Sequence, residues 1–112
     1  MKDIINNFRE WNMKMNKAEK TIKMYNDYIT NFVDEYQITV ENIEILSNQD
    51  FAKRFIDDEL AKGLKPGTIN KHKNILSTFS NYLVFQDLIE TKKFKEISNI
   101  KNDKKEINSF QM

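Results

Sequence analysis

The chain has no cysteine, which removes both a disulfide framework and a thiolate metal site. Its one histidine, His72, is too little for a zinc centre, a Ser-His-Asp set or a Cys-His pair. Two glycines and one proline supply too little turn chemistry for an all-β fold, and no Gly-rich phosphate loop is present. No apolar run reaches the ~18 residues of a membrane span, and the N-terminus lacks the apolar core of a signal peptide. These absences predict a soluble, cytoplasmic protein with no metal, no cofactor, no small-molecule substrate and no catalytic residue.

What is present is a chain of 112 residues, 39% apolar and 12% aromatic, which suits one domain with a modest core. Several segments carry apolar residues at helical period, so the expected fold is all-α, a bundle of four main helices. They are placed near 3–14, 17–36, 48–62 and 66–84. The first buries Ile4, Ile5, Phe8, Trp11 and Met15. Asn16-Lys-Ala-Glu19 has the spacing of a capping box and predicts the second helix from Lys17, with Ile22, Tyr25, Ile29, Phe32, Val33 and Tyr36 inward. Gln37 to Leu46 reads as a connector that closes over the core. Ser47-Asn-Gln-Asp50 offers a cap to the third helix, which buries Phe51, Ala52, Phe55, Ile56 and Leu60. Asp57, Asp58 and Glu59 diverge by ~100° per residue, so they cannot converge on a metal or form an acid–base pair. They read as a solvated acidic face.

The stretch Gly63–Leu83 organises the rest. Gly63 stands where a helix ends, because a residue without Cβ enters the left-handed region cheaply, and Leu64 can fold back on the last turn. Pro66 suits a first helical turn. Ile69, Ile75, Leu76, Phe79, Tyr82 and Leu83 share one arc, and His72 falls within it as a packed residue rather than a ligand. The opposite arc carries Asn70, Lys73, Asn74, Ser77 and Asn81, flanked by Lys71. It has no carboxylate and suits an anion.

A net charge of +1 conceals a strong asymmetry: residues 9–23 carry +3, residues 24–59 carry −7 and residues 60–86 carry +4. Lys17, Lys20 and Lys23 recur near the start of the second helix, where free backbone N–H groups favour a phosphate. Because the second and fourth helices face the same core, Lys17, Lys20, Lys23, Lys65, Lys71 and Lys73 are expected to form one exposed patch. After Leu83 come Phe85, Leu88 and Ile89, then a short helical segment over Lys92–Ile97. Residues 1–97 form the expected domain, and 98–112 a polar linker.

Four stretches in order carry a resemblance. They are Thr21-Ile-Lys-Met-Tyr25 with Phe32; Leu46-Ser-Asn-Gln-Asp50-Phe with Phe55; Gly63-Leu-Lys-Pro-Gly-Thr-Ile-Asn70; and Leu76 with Phe79, Tyr82 and Leu83. With these the chain resembles the N-terminal core-binding (SAM-like) domain of tyrosine recombinases and phage integrases over roughly residues 4–97. The resemblance implies a helical clamp on one side of a recombination site, working in DNA integration or recombination beside other recombinase protomers. The second and fourth helices would lie toward the duplex. Lys17, Lys20, Lys23, Lys65, Lys71 and Lys73 would then meet phosphates, with Thr68, Asn70, Asn74 and Ser77 hydrogen-bonding to backbone or base edges. Lys65 departs from the usual Ser or Asn cap, and Lys73 and Ser77 from a frequent leucine and arginine, which leaves backbone contacts as the expected mode. The family's nucleophilic tyrosine belongs to a further domain, and Tyr25, Tyr28, Tyr36 and Tyr82 do not match it. An expectation of another class is a helical protein-interaction module that binds a basic partner through Asp57 and Asp58.

Overall fold

The computed structural model describes residues 1–89. Within them lie α1 (Lys2–Lys14), α2 (Glu19–Glu35), a 3₁₀ turn (Ile43–Ser47), α3 (Gln49–Ala61) and α4 (Pro66–Phe85). No strand occurs among the described residues, and the fold is an all-α bundle of four helices. None of these helices is long and apolar enough to cross a membrane. The expected Lys92–Ile97 segment and the linker from Ser98 lie outside the described residues.

Every helix ends the same way, with one left-handed residue and a pair of crossed hydrogen bonds. After α3, Gly63 (φ 79°) donates to Leu60 O at 2.9 Å and Leu64 donates to Glu59 O at 3.4 Å. Asn16 (φ 60°), Gln37 (φ 52°) and Asp87 (φ 59°) do the same after α1, α2 and α4. This Schellman arrangement satisfies the last carbonyls and turns the chain sharply, so successive helices can pack. Only one of the four uses glycine.

Asn16 thereby corrects an expectation. Its left-handed backbone closes α1, so it cannot also cap α2; the N-cap of α2 is Ala18, without a side-chain bond, and the helix starts at Glu19. The cap expected for α3 forms: Asn48 Oδ1 accepts from Phe51 N at 2.9 Å. Pro66 begins α4, as its fixed φ favours.

Two aromatic centres hold the helices together. Phe8 of α1 is fully buried and touches Phe79 and Tyr82 of α4 at ring distances of 5.0 and 5.5 Å, and Tyr25 of α2 at 6.5 Å. Phe32 of α2 meets Phe51 and Phe55 of α3 edge-on at 6.3 and 5.8 Å. Ile29, Ile69, Leu76, Phe79 and Leu83 complete one continuous core, against which Tyr25 packs. Ile38, Ile43 and Leu46 close over it from the connector. That connector is clamped by Asn42, whose Oδ1 accepts from Thr39 N at 2.7 Å and whose Nδ2 donates to Gln37 O at 3.1 Å. Trp11 packs on Phe8 and Tyr82 at the edge of the core. Ile22 is buried too, but outside this cluster.

The inward face of α3 also differs from expectation. Leu60 is 49% exposed, whereas Glu59 is only 3% exposed. The α3 face turned toward α2 and α4 meets polar partners there, which hold the Glu59 carboxylate and leave Leu60 outward. Asp58 is half-buried and accepts from Tyr36 Oη at 2.7 Å, so of the three carboxylates only Asp57 is fully solvated.

Candidate nucleic-acid interface

The antiparallel packing of α1 on α2 leaves an open groove of about 920 Å³ where the end of α1 meets the start of α2. Arg9 and Met13 line its α1 side, and Lys17, Glu19, Lys20, Ile22, Lys23 and Asn26 line the other. The spacing is local helical geometry. Arg9 and Met13 are one turn apart, as are Glu19 and Lys23, Lys20 and Lys23, and Ile22 and Asn26, so each set shares a face. Lys17 is placed by the Schellman turn, its N–H bonded to Asn12 O at 3.3 Å. Four cations face one carboxylate in the groove. A second groove, at the other end of the same two helices, has Lys2 against Asp34 and no such excess.

Helix α2 adds to the positive potential. Its first turn receives no side-chain cap, so its N–H groups are open toward an anion, as Lys17, Glu19 and Lys20 at the groove mark. The cations are not equivalent. Lys23 Nζ lies 3.0 Å from Asp27 Oδ2, and Lys17 Nζ lies 5.8 Å from the Tyr25 ring centroid, a cation–π contact.

The residues expected on α4 stand elsewhere. Lys65, Thr68, Lys71 and Asn74 are exposed, and Asn70 and Ser77 are half-buried. None of them lines the groove between α1 and α2. The single six-lysine patch is therefore not gathered around that groove. Lys73 departs furthest: it is 5% exposed, and burial lowers its ammonium pKa below the ordinary lysine value. The reason is that α4 packs against α1, α2 and α3 together, so its buried arc is wider than its apolar residues mark. Five groove residues were not picked out from the sequence as ligands: Arg9, Met13, Glu19, Ile22 and Asn26. The only signal for Arg9 is its place in the basic 9–23 stretch; the pairing of α1 with α2 supplies the rest.

A separate polar cluster joins α2, α3 and α4. His72 Nδ1 lies 2.5 Å from Glu59 Oε1, and Lys62 Nζ lies 3.6 Å from Glu59 Oε2 and 3.0 Å from Glu35 Oε2. The His72 ring stacks on Tyr28 at 4.5 Å. Burial, helped by the Glu59 charge, pushes the Tyr28 phenol far above its ordinary range. Burial and the hydrogen bond to Asp58 do the same for Tyr36. His72 is thus a packed histidine, as its position in the apolar arc of α4 predicts. The adjoining cleft of about 120 Å³ is too small for more than a few water-sized groups, and no metal-ligating cluster of three His, Asp or Glu residues occurs among the described residues. Comparisons with family models, curated proteins and solved structures returned no match to this chain.

Proposed function

We propose that this chain is a duplex-DNA-binding helical module, the DNA-holding part of a site-specific tyrosine recombinase that acts in the cytoplasm beside other protomers. The observation that carries the reading is the groove lined by Arg9, Lys17, Lys20 and Lys23 at an uncapped helix start. Cations on two helices, with open backbone donors, suit a chain of phosphates. A bundle of four main helices is what the sequence resemblance to core-binding domains implies. The exposed α4 residues Lys65, Thr68, Lys71 and Asn74, with Asn70 and Ser77 beside them, supply further polar contacts to sugar and phosphate. Lys73 is removed from that set by its burial. Strand cleavage and joining are assigned to residues outside this chain. The partner-binding alternative through Asp57 and Asp58 has less support, because Asp58 is taken up by Tyr36 and Arg54.

A gel shift with a duplex of about 20 base pairs over a salt series tests the proposal. Affinity is expected on the order of 10⁻⁴–10⁻⁶ M at physiological salt, tightening at low salt with a log–log slope near −0.9 per neutralised phosphate. No covalent protein–DNA adduct should form through Tyr25, Tyr28, Tyr36 or Tyr82. Absence of binding at low ionic strength, or binding that ignores salt, overturns the reading.

A further inference from the structure

We infer that Arg9 is the anchoring contact of the basic groove, gripping a phosphate of the backbone from the α1 side while the lysines of α2 hold it from the other. The inference rests on the DNA-binding reading and adds to it the residue on which the grip depends.

Competition among the cations points to Arg9. Lys23 is already paired with Asp27, and Lys17 is drawn toward the Tyr25 ring. Both must give up a partner to meet a phosphate. Arg9 and Lys20 form no ion pair or ring contact among the described residues, and both are exposed. Of these two, Arg9 has the chemistry for a directed contact. Its planar guanidinium presents parallel N–H donors that match two oxygens of one phosphate, whereas an ammonium is a point charge. The protein has one other arginine, Arg54, and that one is engaged: its Nε lies 3.8 Å from Asp58 Oδ2 and its guanidinium 5.8 Å from the Tyr36 ring centroid.

Position supports the same choice. Lys17, Lys20 and Lys23 all come from the start of α2 or the turn before it, so by themselves they make a one-sided contact. Arg9 is the one cation that α1 contributes to the groove. Met13, one turn further along α1 and 54% exposed, stands beside it and gives an apolar surface for the sugar edge between phosphates. A phosphodiester backbone, charged at intervals and apolar between, fits that alternation better than a free phosphate does.

The test is a fluorescence-anisotropy titration of a labelled duplex at low salt with the whole chain. Arg9→Ala is expected to weaken binding by about ten-fold and to reduce the salt slope by about one. Arg9→Lys should restore the slope but recover only part of the affinity, which separates the fork from the charge. Lys23→Ala should lose less, about two-fold, since Lys23 must give up its pairing with Asp27 before it can meet a phosphate. Lys53→Ala on α3 is the control. Far-UV circular dichroism of the Arg9 variants should match the parent, because the side chain is exposed. If the parent binds and Arg9→Ala binds like Lys53→Ala, the Arg9 inference fails alone. If the parent itself does not bind, the DNA-binding reading fails with it. Full recovery of affinity by Arg9→Lys contradicts the directed contact.

Discussion

His72 Nδ1 of α4 sits 2.5 Å from Oε1 of Glu59 on α3, and the carboxylate it meets is 3% exposed. A charge that deep is tolerable only with partners, and His72 and Lys62 supply one to each oxygen. Removing either side of such a pair leaves the other unsatisfied. His72→Ala should therefore cost roughly 2–3 kcal/mol, somewhat less than a pair with no other support, because Lys62 remains. A double-mutant cycle with Glu59→Gln, read by denaturant unfolding, should give a coupling above about 1 kcal/mol. Coupling near zero would mean that the two residues are neighbours without mutual dependence.

Tyr28 and Tyr36 make an alkaline prediction. Burial raises both phenols above their unfolded value, with the Glu59 charge adding at Tyr28 and the Asp58 hydrogen bond at Tyr36. A folded pKa above the unfolded one contributes stability that is complete below about pH 10 and is lost as pH rises beyond it. Phenolate absorbance from these residues should then appear together with the loss of helical circular dichroism. Complete phenolate formation near pH 10 with helicity intact would contradict this.

Gln37 occupies the left-handed position after α2 with φ 52°, where a Cβ is disfavoured. Gln37→Gly should relieve that strain at a smaller cost in unfolded-chain entropy, a net gain of about 0.5–1 kcal/mol. For a domain of this size the melting temperature should rise by roughly 2–6 °C. Gly63→Ala, at φ 79° in the equivalent turn after α3, should move it in the opposite direction. Equal and small shifts from both would show that neither turn is limiting.

The helix pattern was legible because apolar spacing and the Gly63-Leu64-Lys65-Pro66 punctuation are local. What escaped depends on neighbours. Asn16 can cap a following helix or close a preceding one, and its chemistry serves both; the tight α1–α2 turn decides for closure. Glu59 and Leu60 differ by 100° on α3, and the apolar choice for the inward side is reversed because His72 and Lys62 wait there. On α4 the polar arc was narrowed by three packed neighbours, which take in Lys73. Lys17, Lys20 and Lys23 were visible as a basic run, whereas Arg9 joins them only through the pairing of α1 with α2.

Lys73 separates an exposed lysine from a buried one. At 5% exposure, Lys73→Glu should destabilise the fold by about 2 kcal/mol or more, since it places a second kind of charge in a site that already disfavours the first. Lys71→Glu, two residues earlier and exposed, should change stability by less than about 0.5 kcal/mol. Thermal melts of the two variants check this. Comparable melts would place Lys73 on the surface with Lys71.

The α1–α2 groove is the face proposed to meet DNA. The most direct measurement is a titration of the ¹⁵N-labelled chain with a short duplex, followed by backbone amide shifts. Fast-exchange shifts are expected to concentrate at Arg9–Met13 and Lys17–Asn26, with smaller ones at the exposed α4 residues Lys65, Thr68, Lys71 and Asn74, fading as salt is raised, and with α3 (Gln49–Ala61) unmoved. Shifts centred on α3, or no shifts at low salt, would contradict it.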